Sequence, residues 1–385
     1  MSWACVPKPE EKMAEPLCRY FGKCGGCTLQ HLDHEVQLRQ KLDLVKHATG
    51  IEKIEVFSGD GYHYRNRQDF FFAPTGIGLR QRENSSSILR IEECVISEPR
   101  INEAIREINS YFKENDYYNL KTGNGTLMNA IVRISSEGSG ICFVLNDGSS
   151  RLKHAVEQIE AYAAKTKVDN IAVLYKDPDN SDNLEANDEN FFVLKGAEYM
   201  AHKYLGFKFF YPIEGFFQNN HTMAEKMQEY CREKLSSYQA KNATLLDLYG
   251  GVGTFGIINS HSFKEIHIID FAKKSIDAAK KNIVENRVHN ASATAINAKQ
   301  LKKIPFSQSL YVISDPPRSG MDNEVIQTLN MLKPNAILYI SCNPEQLSKE
   351  LPKFKNYIIK SVAMFDMFPQ TNHVEAIAEL VLNKS

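Results

Sequence analysis

The residue best suited to covalent chemistry is Cys342, which directly follows an apolar run at 336–341. That run predicts a buried strand. A lone cysteine is usually a small buried hydrophobic residue, but its thiolate is also a strong nucleophile. A second predicted strand, 310–314, ends at Asp315, and parallel strands would bring both residues to one edge of a sheet. We therefore interpret Cys342 as a nucleophile, which requires a site that lowers the pKa of its thiol.

A glycine turn lies directly after another predicted strand, 244–248, in the segment Asp247-Leu-Tyr-Gly-Gly-Val-Gly253. Glycine lets the backbone turn sharply and approach a ligand closely. About 20 residues later a strand ends at Asp270, where a carboxylate can accept hydrogen bonds from ribose hydroxyls. This spacing suits a dinucleotide or S-adenosylmethionine. We favour S-adenosylmethionine, because the turn lacks the G-x-G-x-x-G pattern of dinucleotide sites.

The segment Asp315-Pro-Pro-Arg318 indicates which kind of substrate group is methylated. It places a carboxylate and a rigid turn at the sheet edge, beside the expected position of the reacting methyl group. Methyltransferases that act on amino groups commonly carry an aromatic residue after the two prolines, which stacks on the base. Arg318 occupies that position here, so exocyclic amines are disfavoured as substrates.

Methylation of a pyrimidine carbon would use both a thiolate and a base. Uracil C5 becomes nucleophilic when a thiolate adds to C6, and the C5 proton must leave before the thiol is eliminated. Glu375 opens the last predicted strand after a loop stiffened by proline and is the best candidate for this base. Asp366 and His373 are the competing candidates.

Four further cysteines lie near the N-terminus at Cys18, Cys24, Cys27 and Cys94. The C-x5-C-x2-C spacing with a distant fourth cysteine suits either a structural zinc ion or a [4Fe-4S] cluster. The stretch 62–90 between these ligands is rich in aromatic residues and arginines. Its arginines are Arg65, Arg67, Arg80, Arg82 and Arg90. Such a mixture is typical of surfaces that bind looped or single-stranded RNA, from which a base would be flipped out to reach Cys342.

The elements that position these residues fall into two predicted domains, 1–203 and 204–385. The first is predicted to be α+β, with a helix at 34–48 and a mostly antiparallel sheet in 62–97 and 127–145. The stretch 177–190 is predicted to be a surface loop. The second domain alternates strands and helices, which predicts a Rossmann-like α/β fold with an open parallel sheet. Its predicted elements are 244–248, 265–270, 272–285, 310–314 and 336–341, and a terminal strand pair at 358–366 and 375–382.

Composition restricts the surface charge, the cellular location and the use of the cysteines. The formal net charge of −1 excludes an overall cationic coat but leaves room for a local basic face. We find no apolar run long enough for a membrane span and no secretory signal, so we expect a cytoplasmic protein. Eight cysteines in such a chain indicate metal binding or thiol chemistry more than a disulfide scaffold. We expect a monomer.

Together these segments resemble the uracil-C5 RNA methyltransferase family, which includes 5-methyluridine-forming enzymes of the tRNA T-loop and of large-subunit ribosomal RNA. The matching segments are Gly215-Phe-Phe-Gln218-Asn-Asn, Asp247-Leu-Tyr-Gly-Gly-Val-Gly253, Asp315-Pro-Pro-Arg318, Ser341-Cys342-Asn343-Pro344, Asp366-Met-Phe-Pro and His373-Val-Glu375. Upstream, Tyr64-Arg-Asn-Arg67 and the four cysteines resemble the iron-sulfur domain of the family. The resemblance therefore covers most of the chain.

The resemblance implies a class I methyltransferase with Cys342 as nucleophile and Glu375 as base. It implies cofactor contacts from Gln218, Tyr249, Gly251, Thr254, Asp270, Asn297 and Asp315. It also favours a [4Fe-4S] cluster over zinc as the group held by Cys18, Cys24, Cys27 and Cys94. Only 17 residues precede Cys18, so we expect the accessory β-barrel of the family to be absent and the cluster domain to capture the RNA.

From these expectations we predict S-adenosylmethionine-dependent formation of 5-methyluridine in 23S ribosomal RNA. The same reaction on the tRNA T-loop is the nearest alternative, because target choice depends on surface shape more than on motifs. Two contrasting alternatives are a non-catalytic RNA-binding protein and a zinc-binding amine methyltransferase.

Overall fold

The computed structural model describes residues 12–74, 76–179, 189–304, 306 and 309–383. The helices are α1 (His34–Thr49), α2 (Pro99–Tyr111), α3 (Leu152–Ala163), α4 (His221–Ser236), α5 (Thr254–Ile258), α6 (Lys273–Glu285), α7 (Asn323–Leu332) and α8 (Pro344–Glu350). The first strands are β1 (Glu55–Phe57), β2 (Arg67–Ala73), β3 (Gly76–Arg80), β4 (Ile88–Arg90), β5 (Leu127–Ser135), β6 (Gly138–Asn146), β7 (Asn170–Lys176) and β8 (Phe191–Lys195). The later strands are β9 (Tyr199–Tyr204), β10 (Phe207–Pro212), β11 (Thr244–Leu248), β12 (Glu265–Asp270), β13 (Ala291–Ala295), β14 (Leu310–Ser314), β15 (Ala336–Ser341), β16 (Tyr357–Phe365) and β17 (Glu375–Leu382).

The C-terminal half of the chain forms an eight-stranded sheet in the order β1-β16-β17-β15-β14-β11-β12-β13. Strands β11 to β15 pair in parallel, and β17 is antiparallel to both β15 and β16. Every residue of β11, β14 and β15 is buried, as expected for parallel strands that are covered on both faces. The strand order reverses at β11, which opens a crevice at the carboxyl ends of β11 and β14. The predicted α/β organisation of this half is confirmed.

A second sheet has the order β4-β3-β2-β5-β6-β7-β8. Its pairs are antiparallel except β6 with β7, which are parallel and are joined through α3. The prediction of a mostly antiparallel sheet therefore holds with one parallel pair. The predicted loop at 177–190 falls largely outside the described residues, because 180–188 are not among them.

The two halves of the chain are interleaved near the N-terminus. Strand β1 pairs in parallel with β16, with Phe57 opposite Phe365, so it extends the C-terminal sheet. Val45 of α1 lies in the same apolar cluster as Leu246 and Leu248 of β11. The expected boundary at Lys203 lies within β9, which pairs with β10. Residues of the first proposed domain thus complete the sheet of the second.

In the part of the chain that is described, no helix is both long and apolar enough to cross a membrane.

Candidate active site

Cys342 and Glu375 meet at one edge of the C-terminal sheet. Strand β15 runs toward Cys342, and β17 runs in the opposite direction away from Glu375. Ser341, the last residue of β15, pairs with Ala376, so Cys342 follows β15 at the end of the pair where Glu375 begins β17. Asp315 follows β14, which is the parallel neighbour of β15. The fold therefore brings a thiol and two carboxylates to one place.

The glycine turn after β11 is joined to the end of β12. Tyr249 and Gly251 have positive φ angles of 61° and 53°, which the tight turn requires. The backbone N–H of Gly251 donates a hydrogen bond to Oδ2 of Asp270 at 3.0 Å, and the N–H of Ala272 donates to Oδ1 at 2.9 Å. Asp270 thus holds the turn and is partly buried at the crevice.

Asp247 is a residue of this site that sequence reasoning did not single out. It lies within β11, is almost fully buried, and accepts a hydrogen bond from the N–H of Gly256 at 2.8 Å. Burial is the main cause that raises the pKa of Asp247 to about 7, and the negative charges of Asp315 and Asp270 contribute to that value. Burial also raises the pKa of Asp315 to about 7. The crevice is therefore short of positive charge, which a cationic ligand would supply.

The pKa of Glu375 is raised well above its usual value, mainly by burial and secondly by the charge of Asp315. A carboxylate in this environment is strongly basic once it is ionised. This property suits the role expected for Glu375.

The expectation that the site lowers the pKa of Cys342 is wrong. Burial raises the pKa of its thiol to about 11, and the charges of Glu375 and Asp315 add to this effect. The positive charge of Arg318 acts in the opposite direction. The backbone carbonyl of Arg318 accepts a hydrogen bond from Nδ2 of Asn343 at 3.1 Å. Asn343, which follows Cys342, thus holds the loop that carries Arg318.

The two residues that compete with Glu375 are placed differently. The side chain of Asp366 is 0% exposed and pairs with Nζ of Lys41 at 2.5 Å and Nε2 of His34 at 3.1 Å. Both partners belong to α1, so the carboxylate of Asp366 binds this helix. His373 is exposed, with its ring centroid 6.1 Å from that of Phe368. Glu375 is the candidate that faces Cys342.

The loop that carries Gln218 is held by residues of the second sheet. NH1 of Arg67 donates to the carbonyl of Gly215 at 2.8 Å, and Nε of Arg133 donates to the carbonyl of Ile213 at 2.7 Å. Nδ2 of Asn66 donates to the carbonyl of Gln218 itself at 3.0 Å. Sequence reasoning assigned Arg67 to RNA phosphates, whereas its guanidinium binds this loop and Asp69.

Two of the expected cofactor residues have polar partners of their own. Thr254 begins α5, and its hydroxyl accepts a hydrogen bond from Nε2 of Gln228 at 3.0 Å. Gln228 is buried in α4 and carried no signal in the sequence. Asn297 is exposed and caps the short 3-10 helix Ala298–Lys303 by accepting from the N–H of Lys299 at 2.9 Å.

The four N-terminal cysteines line one cavity of about 100 Å³. Burial raises the pKa of Cys27 to about 12, and the neighbouring thiols add to the shift. The N–H of Gly26 donates to Sγ of Cys24 at 3.4 Å. Across the described ranges, no three His, Cys, Asp or Glu side chains form a group arranged to hold a metal ion. The cysteines therefore share a cavity, but their side chains do not form a ligand shell.

Arg65, which lines this cavity, and two other arginines of the stretch 62–90 donate hydrogen bonds to backbone carbonyls. Nε of Arg65 donates to the carbonyl of Arg67 at 2.8 Å, and NH1 of Arg80 donates to the carbonyl of Ser85 at 2.6 Å. Arg82 donates to the carbonyl of Cys27. These bonds fix the loops around the cysteines.

Comparison with known proteins gives consistent matches. A family model described as tRNA (Uracil-5-)-methyltransferase matches residues 198–384. An RNA methyltransferase of Caldanaerobacter subterraneus, itself uncharacterized, is 31% identical over 95% of this chain and 84% of the relative. The tRNA (uracil(54)-C(5))-methyltransferase of Pyrococcus abyssi is 30% identical over 95% of this chain and 86% of that enzyme.

A solved structure gives the same result. The crystal structure of the Pyrococcus abyssi tRNA (uracil-54, C5)-methyltransferase in complex with S-adenosyl-L-homocysteine matches with a TM-score of 0.76 at 28% identity. The match covers 92% of this chain and 86% of that one.

Proposed function

This chain belongs to the tRNA (uracil-5-)-methyltransferase family, and we propose that it methylates C5 of a uridine in tRNA through Cys342 and Glu375. The observation that carries the proposal is the position of Cys342 and Glu375 on adjacent ends of β15 and β17, beside Asp315. The sequence alone favoured 23S ribosomal RNA. We now place the tRNA T-loop first, because the named relatives are tRNA (uracil(54)-C(5))-methyltransferases.

S-adenosylmethionine supplies an electrophilic methyl group on a positively charged sulfur. The residues proposed to hold it are Gln218, Tyr249, Gly251, Thr254, Asp270, Asn297 and Asp315. The crevice fits such a ligand in two respects. The turn with Gly251 at positive φ brings the backbone to its surface, and the buried carboxylates Asp247 and Asp315 favour a nearby cation.

The proposed reaction begins when Cys342 loses its thiol proton to water and its sulfur bonds to C6 of uracil. C5 of the resulting enolate then bonds to the methyl group of the cosubstrate S-adenosylmethionine, and the bond between that methyl group and sulfur breaks to leave S-adenosylhomocysteine. Glu375 removes the C5 proton, and the bond between sulfur and C6 breaks to release 5-methyluridine and the thiolate. Since the pKa of Cys342 is about 11 in the protein alone, this first step requires positive charge in the site. Arg318 provides part of that charge.

For the cavity of the four N-terminal cysteines we propose a [4Fe-4S] cluster, with zinc as the alternative. The four thiols that line this cavity are donors of the type that either group takes. A bound cation would stabilise the thiolates, whose pKa values burial otherwise raises at Cys18, Cys24 and Cys27. The role proposed for the cluster is structural, and the surrounding domain is proposed to position the RNA.

We further propose that the chain acts as a cytoplasmic monomer.

The test is a covalent trap with 5-fluorouridine, which blocks removal of the group at C5. The protein is purified anaerobically and incubated with S-adenosylmethionine and either 5-fluorouridine-substituted tRNA or 23S ribosomal RNA. We expect a complex with tRNA that resists denaturation, and we expect Cys342→Ala to abolish it. Cys142→Ala is the matched control, because Cys142 is a buried thiol in the second sheet.

The RNA that is trapped identifies the substrate class. Trapping of ribosomal RNA alone would replace the tRNA assignment. Absence of any complex from protein that binds the cofactor would refute Cys342 as nucleophile.

A further inference from the structure

The loop at 366–374, which we call the base loop, connects β16 to Glu375 and is held by distant parts of the chain. Its successive carbonyl groups, from 367 to 370, each accept a hydrogen bond from a different segment. Nδ2 of Asn220 donates to the carbonyl of Met367 at 3.1 Å, and Nζ of Lys41 donates to that of Phe368 at 3.0 Å. The hydroxyl of Tyr64 donates to the carbonyl of Pro369 at 2.9 Å. The backbone N–H groups of Thr28 and Leu29 donate to the carbonyl of Gln370 at 2.9 and 3.0 Å. The path of the loop is therefore set by contacts outside the C-terminal sheet.

Gln37 of α1 makes the most specific of these contacts. Its Nε2 donates to Oε1 of Gln370 at 3.0 Å, and its Oε1 accepts from the backbone N–H of Gln370 at 3.0 Å. The same Nε2 lies 3.1 Å from the carbonyl of Leu29 and 2.9 Å from that of Leu32. Gln37 and Gln370 are only 1% and 3% exposed, so water does not compete for these bonds.

The backbone of Gln370 explains why the loop needs such support. Its φ angle is 67°, which a residue with a side chain adopts at a cost. The paired amides hold the residue in this conformation, five residues before Glu375. If they were lost, the loop could relax and Glu375 would shift relative to Cys342.

We propose that Gln37 and Gln370 are positioning residues that place Glu375 for removal of the C5 proton. The inference rests on the proposed function and deepens it. Through the N–H groups of Thr28 and Leu29, the same pair ties the base loop to the segment directly after Cys27. A residue of the N-terminal domain thus acts on a chemical step of the C-terminal domain.

The order of the bond changes predicts which reaction intermediate accumulates when Gln37 or Gln370 is replaced. Removal of the C5 proton follows both addition of Cys342 to C6 and transfer of the methyl group. A displaced Glu375 therefore delays only the last step, and methylated RNA stays bonded to Cys342. Loss of folding, of cofactor binding or of RNA binding would instead reduce the amount of this adduct.

The experiment uses the full-length protein with unmodified tRNA and S-adenosylmethionine. Gln37→Met keeps the length of the side chain and removes both of its hydrogen-bonding groups. Gln370→Gly removes the partner amide at a position where glycine adopts the backbone angle easily, which favours folding. Asn109→Leu is the control, since Asn109 is a buried amide that bonds to Ile77 and Ile91 in the second sheet.

We expect Gln37→Met and Gln370→Gly to lower kcat by about ten- to a hundredfold, as displacement of a catalytic group by ~1 Å does. KM should fall together with kcat and kcat/KM should change little, because only a step after methyl transfer is slowed. We also expect both variants to accumulate an adduct with unmodified tRNA that resists denaturation, which wild type and Asn109→Leu do not. Hydrogen exchange of the peptide that contains the base loop should become faster in both variants.

Three outcomes separate the inference from the proposed function. Folded variants that turn over like wild type, or that lose activity without an adduct, refute the positioning role. If wild type forms no 5-methyluridine in tRNA or ribosomal RNA, the proposed function fails. In that case unchanged hydrogen exchange of the base loop in Gln37→Met would also refute the anchoring that the inference requires.

Discussion

Replacing Lys41 with methionine removes one partner of an ion pair that is buried between α1 and the base loop. The side chains of Lys41 and Asp366 are 1% and 0% exposed, and Nζ lies 2.5 Å from Oδ1. Methionine fills much of the same space, so the main loss is charge and hydrogen bonding. Within the described part of the chain, the carboxylate of Asp366 would keep His34 as its partner, and that side chain is 34% exposed.

The expected cost is about 3–5 kcal/mol of unfolding free energy at neutral pH, as is typical when one partner of a buried pair is removed. The cost should depend on pH. Burial opposes ionisation of Asp366, but His34 and Lys41 together hold its pKa below the usual value. Its stabilising contribution is therefore present above the pKa of the unfolded state and is lost as the pH falls. Without Lys41 the pKa of Asp366 in the folded state rises. Lys41→Met should therefore lose the most unfolding free energy at pH 8 and the least at pH 5.

Urea denaturation followed by circular dichroism at both pH values measures this cost. At pH 8 we expect the midpoint to fall by on the order of 1 M. Lys12→Met is the control, because Lys12 pairs with Asp33 at 2.8 Å on the surface and should leave the midpoint unchanged. Asp366→Asn introduced together with Lys41→Met should recover part of the loss, since no buried charge then remains unpaired.

A midpoint unchanged by Lys41→Met, or a loss equal at pH 8 and pH 5, would refute this account of the pair.

Three further predictions follow from the site. As the pH falls through about 7, Asp247 and Asp315 take up protons, so affinity for S-adenosylmethionine should weaken several-fold between pH 8 and pH 6. Calorimetric titration with S-adenosylhomocysteine, whose sulfur is uncharged, should show a smaller change, and equal dependence would contradict the role of charge. Arg67→Met should weaken cofactor binding about tenfold, because it removes one of the two arginines that donate to the carbonyl of Gly215, whereas Arg80→Met should not; equal affinities would contradict the role of Arg67 in holding the loop that carries Gln218. Anaerobically purified wild type should contain iron and sulfide that Cys94→Ser lacks, and a colourless zinc protein would refute the cluster.

The strands of the C-terminal sheet were predictable because each is a short apolar run that stops at a polar motif. The predicted bounds of 244–248, 265–270, 310–314 and 336–341 agree with the strands observed. Parallel strands buried on both faces need such continuous apolar runs, so their signal is local. The meeting of Cys342 with Asp315 followed from the same pattern, since parallel strands end at one edge.

The polar contacts between distant segments were not predictable in this way. Lys41 and Gln37 appear in the sequence as ordinary polar residues of a charged helix, yet both are buried against the base loop. Arg67 appears as one of several arginines suited to phosphate, yet it binds the loop before Gln218. Hydrogen bonds of this kind have no periodicity, and their partners are fixed only by the tertiary fold. The raised pKa of Cys342 was missed for the same reason, because it depends on burial and on the carboxylates around it.

The contacts of the base loop also have a consequence for the order in which the enzyme is made. Lys41 and Asp366 are 325 residues apart in the chain, and Thr28 and Asn372 are 344 apart. At roughly 5–20 residues per second, the first of each pair leaves the ribosome roughly 20 to 70 s before its partner exists. During that interval the partners of Gln37 and Lys41 in the base loop have not yet been synthesised. Under the proposed mechanism, a chain that stalls before Glu375 lacks the base and cannot complete the methylation.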